Sequence, residues 1–196
     1  MKDELRQILA EERRNISDSL HRRFSAKIAE RLVSLEAFRN ADTILCYASK
    51  RYETATDRIF KYCFKCGKSI AAPVCIGKHM IFRIVRSKDD FEPGRFSVYE
   101  PKSSCAPAVI TAETVCITPA LCYDKNGFRI GYGGGYYDRF FSENECIRIG
   151  VCYEQFIRDF VHDENDESVD AIISQDSVRI IKSDRSPKGL RVTDIQ

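Results

Sequence analysis

Apolar and polar positions alternate along this 196-residue chain in two rhythms. Residues 2–14 and about 17–38 are charged but keep an apolar stripe, and in the second stretch Leu20, Phe24, Ile28 and Leu32 recur every fourth position behind Ser17. That spacing predicts two amphipathic helices. The run TILCYA (43–48), set between Asn40 and Asp42 on one side and Ser49 on the other, predicts a short buried strand. Thr56 offers an N-cap to a helix ending at Gly67, and SIAAPV follows as the next strand. These three pieces make one strand–helix–strand unit. MIFRIV (80–85) alternates as a strand does, and the Pro- and Gly-marked stretch after it predicts a connection. TVCITPAL (114–121), CIRIGVCY (146–153), VDAIIS (169–174) and VRII (178–181) supply the remaining strands. Strands alternating with helices, several apolar throughout, predict one α/β domain over residues 1–196. Its expected architecture is three-layered, α/β/α, around a mixed, largely parallel sheet with a ligand site at the carboxyl ends of the strands. A polar tail is expected from about residue 183.

Composition narrows the partners. Lys plus Arg number 31 against 29 Asp plus Glu, so the formal charge of +2 gives no basic excess for nucleic acid or for an anionic membrane surface. No run approaches the roughly 18 apolar residues of a spanning helix, and the opening MKDELRQILAEERR is too charged for a signal peptide. The expectation is a cytoplasmic protein acting on small molecules, without nucleic-acid or membrane partners. Nine cysteines lie mostly in apolar runs and read as small core hydrophobes of a reducing compartment. One spacing, Cys63, Cys66, Cys75 and His79, suits zinc on paper. However, Ile59, Phe60, Cys63 and Phe64 form a helical apolar stripe, which favours core packing.

Chemistry is concentrated in TPALCYDKNGFRIGYGGGYYDRFF (118–141). Gly131, Gly133, Gly134 and Gly135 fall between a buried strand and a helix start. Glycines there let backbone N–H groups approach an anion, and the following helix adds its own amino end. Phosphate is the expected occupant. Neither G-x-x-x-x-G-K-[ST] nor G-x-G-x-x-G is present, since Tyr136 stands at the last glycine position of the latter. Arg129 and Asp138 bracket the segment, a guanidinium for phosphate oxygens and a carboxylate for Mg²⁺ on the same polyphosphate. A tight turn that binds nothing is the bland alternative.

The stretch Asp124-Lys125-Asn126-Gly127-Phe128-Arg129-Ile130-Gly131-Tyr132-Gly133-Gly134-Gly135-Tyr136-Tyr137-Asp138 closely resembles the signature of the 5-formyltetrahydrofolate cyclo-ligase family. Further landmarks follow in order: Lys2-Asp3-Glu4-Leu5-Arg6, Glu53-Thr54-Ala55-Thr56, Phe91-Glu92-Pro93-Gly94, Tyr99-Glu100-Pro101, Ile149 to Gln155, and Asn165-Asp166 through Asp170. The fold this resemblance implies is Rossmann-like, similar to the NagB/RpiA/CoA-transferase-like group.

The implied activity is the ATP- and Mg²⁺-dependent closure of 5-formyltetrahydrofolate to 5,10-methenyltetrahydrofolate, with ADP and phosphate released through a phosphorylated imine at N5. Carried onto this chain, the resemblance gives Arg129 and Tyr136 catalytic roles. It puts ATP on Lys2, Arg6, Arg129, Ile130, Gly131, Tyr132, Gly133, Gly134, Gly135, Tyr136 and Tyr137. The folate falls to Ala48, Glu53, Tyr132, Gly133, Gly134, Gly135 and Tyr136, and Mg²⁺ to Asp138 and Asp166. A monomer is implied. Two alternatives stay open at the level of sequence: another ATP- or phosphate-using enzyme on the same scaffold, and a non-catalytic folate- or nucleotide-binding protein.

Overall fold

The computed structural model describes residues 2–94, 98–181 and 190. The expected polar tail lies outside the described residues apart from Leu190, whose side chain is buried in the core. The chain opens with helices α1 (Lys2–Arg14), α2 (Asp18–Ser34) and α3 (Glu36–Asn40). Then come β1 (Thr43–Cys46), α4 (Asp57–Cys66) and the hairpin of β2 (Ser69–Ile76) with β3 (His79–Val85). Short strands β4 (Phe91–Pro93) and β5 (Tyr99–Pro101) pair with each other. After β6 (Val115–Pro119), the two-residue strands β7 (Cys122–Tyr123) and β8 (Arg129–Ile130) form a second small hairpin. Helix α5 (Tyr136–Glu143) and strands β9 (Ile147–Val151), β10 (Ala171–Ile173) and β11 (Val178–Ile180) complete the order.

Seven strands form one sheet in the order β11-β10-β9-β6-β1-β2-β3. The five inner strands run parallel and the two outermost, β3 and β11, antiparallel. The period of two explains why both faces are covered. In β1, Ile44 and Cys46 face one cluster and Leu45 the other; Ile70, Ala72 against Ala71 in β2, and Val115, Ile117 against Cys116 in β6, repeat the split. Ile28, Leu32, Phe38 and Ile59 of α2, α3 and α4 complete the first cluster, and Phe140 and Phe141 of α5 the second. Each such large side chain contributes about 1.5–3 kcal/mol by leaving water. An exposed pair such as Lys61–Asp57, at 3.4 Å, adds a few tenths at most. Burial holds the fold.

Two local expectations change, and the disfavoured zinc spacing is not assembled. The helix over 17–38 is broken at Leu35, which is extended (φ −66°, ψ 136°) and fully buried. Ser17 does cap α2, accepting from the Leu20 N–H at 3.3 Å. Leu35 continues the apolar stripe, so the periodicity runs through a bend that only the packing of α3 against α2 creates. Thr56 stands at the N-cap of α4, but its side chain makes no capping hydrogen bond. Its hydroxyl donates to the Tyr47 carbonyl (2.8 Å) and accepts from the Ser49 N–H (3.3 Å), closing the loop after β1 instead. The four potential zinc ligands are not gathered: Cys63 is buried, Cys66 exposed, and His79 lies on the outer hairpin beside Glu143 at 3.7 Å.

Candidate active site

The crossover from β1 to β2 runs one way along the sheet, while β6 returns on the other side of β1. Chains that reverse in this manner leave a crevice at the carboxyl ends of the two strands. A cleft of about 330 Å³ opens there, with Tyr47 and Ala48 following β1 and Pro119 ending β6. Lys2 and Arg6 reach it from α1, and the glycine segment forms its floor.

The segment is delivered by a rigid turn. Both the Asn126 and Phe128 N–H groups donate to Asp124 Oδ1 at 2.9 Å, and Asp124 itself is buried. Arg129 then leaves β8 with its guanidinium inward, donating to Asp138 Oδ1 (2.7 Å) and to the Glu167 carbonyl (2.7 Å). Asp138 Oδ1 also accepts from the Glu167 N–H at 3.1 Å. Beyond Gly127 of the turn (87°), positive φ occurs at Gly133 (92°) and Gly135 (61°), where α5 begins. Gly134 is required by space, since a Cβ there would lie 2.7 Å from the Tyr136 ring. At Gly131 a Cβ would meet nothing within 4 Å among the described residues, and nothing in them explains the glycine. Arg139 braces the turn by donating to the Gly134 and Lys78 carbonyls, each at 2.7 Å.

The amino end of α1 closes one side. Lys2 Nζ donates to Asp163 Oδ2 and Asp166 Oδ2, both at 2.6 Å. Arg6 Nε donates to the Gly131 carbonyl at 3.0 Å, with its other arm on Asp3. Partial burial works against both charges of the Lys2–Asp166 pair. It is outweighed by their mutual hydrogen bond and attraction, so the Lys2 ammonium is held above its usual pKa and the Asp166 carboxyl below.

Glu53 lies under the opposite wall, 6% exposed, where its Oε2 accepts from the Lys50 N–H at 2.8 Å. Burial, then the nearby Glu53 charge, raises the pKa of the Tyr132 phenol. Lys50 Nζ sits 5.4 Å from the Tyr132 ring centre. Tyr136 donates to the Gly77 carbonyl at 3.1 Å. The Tyr137 hydroxyl is buried with no hydrogen-bond partner among the described residues, and burial pushes its pKa up.

The cleft therefore brings together every residue singled out from the sequence except Ile130, which is 1% exposed in the core. Ile130 can reach a ligand only through its backbone, and its carbonyl already accepts from the Leu121 N–H at 2.7 Å. Sequence reading missed a third wall, Cys75, Met80, Val98 and Glu100, contributed by the β2–β3 hairpin, β5 and the residue just before β5. Of its members only Glu100 falls in a sequence landmark, Tyr99-Glu100-Pro101, and the resemblance attaches no role to it. It also missed Arg13, one helical face along from Lys2, Arg6 and Leu9. Arg13 is 2% exposed and donates to the carbonyls of Ala120 (2.7 Å), Leu121 (3.1 Å) and Tyr52 (3.2 Å). The Lys2–Arg6–Arg13 spacing is the signal that could have found it.

Among the described residues, four cationic side chains (Lys2, Arg6, Lys50, Arg129) face five carboxylates (Glu53, Glu100, Asp138, Asp163, Asp166) across the cleft. A polyphosphate enters such surroundings only with counter-charge of its own. Asp138 and Asp166 suit Mg²⁺, which takes one or two carboxylates and fills the rest of its shell with phosphate oxygens and water. Their hydrogen bonds among the described residues fall on one oxygen each, Oδ1 of Asp138 and Oδ2 of Asp166.

Fold and cleft define a doubly wound α/β protein with a charged crevice at the switch point of its sheet. The chain belongs to the 5-formyltetrahydrofolate cyclo-ligase family, whose sequence model matches residues 1–175. A probable 5-formyltetrahydrofolate cyclo-ligase of Schizosaccharomyces pombe is 24% identical over 197 residues, covering 90% of this chain and 96% of the relative. The 5-formyltetrahydrofolate cyclo-ligase of Saccharomyces cerevisiae is 28% identical over 180 residues, covering 78% and 84%. Among solved structures, the 5,10-methenyltetrahydrofolate synthetase of Aquifex aeolicus superposes with a TM-score of 0.80 at 27% identity, covering 95% of this chain and 96% of that one.

Proposed function

We propose that this chain closes 5-formyltetrahydrofolate to 5,10-methenyltetrahydrofolate, consuming ATP with Mg²⁺ and releasing ADP and phosphate. The observation that supports this most is the meeting in one cleft of the glycine segment, Arg129, Asp138, the α1 cations and Glu53. An amide oxygen is a poor leaving group, and phosphorylation makes it a good one. In this reading the formyl oxygen attacks the γ-phosphorus, the bond to ADP breaks, and the N5 lone pair forms a phosphorylated imine. N10 then adds to that carbon, the carbon–oxygen bond to phosphate breaks, and the N10 proton passes to solvent.

The chain's task is to position two reactants and stabilise charge on the transferring group. Arg129 and the amides of Gly133, Gly134 and Gly135, with the amino end of α5 behind them, face the γ-phosphate. Lys2 and Arg6 turn from their resting partners to the outer phosphates. Mg²⁺ on Asp138 and Asp166 would neutralise phosphate charge. Glu53 accepts from the amino-pyrimidinone edge of the pterin. Ala48 is small enough to leave room for it, and Tyr132 and Tyr136 offer ring faces on either side. The Tyr137 hydroxyl, without a hydrogen-bond partner among the described residues, donates to substrate. We read residues 1–196 as one catalytic domain, cytoplasmic and monomeric, with no nucleic-acid or membrane partner; no helix among the described residues is long and apolar enough to cross a membrane.

The test is the absorbance of methenyl-folate formed from 5-formyltetrahydrofolate. A rise that requires both ATP and Mg²⁺ is expected, and folded protein giving none overturns the proposal.

A further inference from the structure

The acidic segment 163–167 contributes Asp166 to the cleft, yet it sits outside the sheet and has no regular structure of its own. What fixes it lies one residue further on. The Glu167 backbone holds both bracketing residues: its carbonyl accepts from Arg129 at 2.7 Å and its N–H donates to Asp138 at 3.1 Å. Its side chain reaches the other way, into an ion pair with Arg148 of β9 at 2.7 Å.

Arg148 is buried, 5% exposed, on the sheet face that α5 covers. Its guanidinium also donates to the Phe141 carbonyl (2.7 Å) and the Ser168 carbonyl (3.4 Å), so it ties α5 to the segment. Two bonds to Asp170 pin the far end to β9: the Arg148 N–H donates to Asp170 Oδ2 and the Asp170 N–H to the Arg148 carbonyl, each at 2.8 Å. The guanidiniums of Arg148 and Arg129 share one ring, lying 4.5 and 5.4 Å from the centre of Phe141. A partly buried pair of this kind is weak evidence for stability, because desolvation offsets the attraction. Its geometric effect is direct: it sets where the Glu167 backbone, and with it Arg129, Asp138 and Asp166, can stand.

We propose that Arg148 and Glu167 are positioning residues that lock segment 163–167 against Arg129 and Asp138 and so set metal-dependent nucleotide binding in the cleft. The inference rests on the metal and nucleotide assignments proposed above. Neither residue touches the ligand. They act as outer-shell partners of the groups that do.

The experiment uses the full chain, Mn²⁺ as the spectroscopically visible metal, and a non-hydrolysable ATP analogue, with bound Mn²⁺ read by electron paramagnetic resonance. Glu167→Ala keeps both backbone contacts and removes the Arg148 anchor. It should weaken Mn²⁺ binding by about 10–100-fold, the usual cost of losing an outer-shell partner, and lower kcat while KM for 5-formyltetrahydrofolate stays within about twofold. Glu167→Gln, whose amide oxygen still accepts from Arg148, should restore most of the affinity. Folded Glu167→Ala protein with wild-type Mn²⁺ affinity overturns the proposal. If that variant does not fold, Arg148→Lys is measured in the same way, and unchanged affinity there overturns it equally. Asp138→Asn separates the two levels. Wild-type Mn²⁺ binding in Asp138→Asn removes the metal assignment itself, whereas weakened binding there beside normal binding in Glu167→Ala removes only the positioning role.

Discussion

Arg129 and Asp138 stand at opposite ends of the glycine segment and meet at 2.7 Å, so the resting protein closes its candidate phosphate loop with an internal ion pair. Each group is already oriented by a contact to Glu167, the carbonyl for Arg129 and the N–H for Asp138. A pair arranged in this manner is organised before any ligand arrives, and little reorganisation remains for the reaction to drive.

The first prediction follows from that pair. Asp138→Asn keeps the shape but loses the charge, leaving the buried Arg129 guanidinium without its counter-ion. Turnover should fall by at least about 100-fold, as when one preorganised charged group is removed, and stability by about 1.5–3 kcal/mol, the worth of a hydrogen bond to a charged group. Steady-state kinetics and urea unfolding check the two effects. Unchanged kinetics would remove Asp138 from the metal role.

A second prediction contrasts two glycines. At Gly135, with φ of 61°, a Cβ would also come within 2.8 Å of Arg139, whereas at Gly131 it would meet open space. Gly135→Ala should therefore cost about 1–2 kcal/mol through left-handed strain alone and reduce activity, while Gly131→Ala leaves stability within about 0.5 kcal/mol. Thermal unfolding of the two variants side by side separates them. Equal effects would contradict the geometry.

Arg13 supplies the third. It holds α1 against the carbonyls that follow β6, with its guanidinium 4.5 Å from the Phe156 ring centre. Arg13→Met should leave buried carbonyls unpaired at about 1–3 kcal/mol each and shift the urea midpoint downward. Because Lys2 and Arg6 ride on the same helix, nucleotide affinity should fall with it. A stable variant that binds nucleotide normally would show that α1 is placed by other means.

Thiol reactivity gives the fourth. Burial pushes the Cys63 and Cys152 thiols up to about 12 and raises Cys46, Cys116 and Cys122 as well, so their thiolates are scarce at pH 8. Cys146 is buried, while Cys66 is exposed and Cys75 and Cys105 half-buried. A disulfide reagent at pH 8 should modify Cys66, Cys75 and Cys105 in the folded protein and the other six only on unfolding. Rapid labelling of Cys63 would contradict its place in the core.

The sheet was legible because its strands are apolar on both faces and its helices carry single stripes, so burial and local pattern agree. Disagreement came where distant partners decide. Leu35 extends an apolar stripe through a bend, and Thr56 spends its hydroxyl on the loop after β1 instead of the helix end. The glycine segment announced itself because glycine there answers a backbone requirement that sequence carries directly. Arg13, Arg139 and Arg148 did not, since a charged residue reads as a solvated face until its acceptors are seen; those of Arg13 lie 39, 107 and 108 positions away. Asp166 sat in an acidic run whose meaning depends on Glu167 meeting Arg129, 38 positions distant. The Cys75–Met80–Val98–Glu100 wall is likewise a product of folding, assembled from three strands and the residue leading into the last of them.

The central claim is that backbone amides of the glycine segment receive the nucleotide's terminal phosphates. Its most direct measurement is a titration of ¹⁵N-labelled protein with Mg²⁺ and ADP, followed by amide shifts. The account predicts that Gly133, Gly134 and Gly135, with Arg129 and Asp138, move most and saturate together. Saturable binding that leaves those amides unmoved while others shift would contradict it.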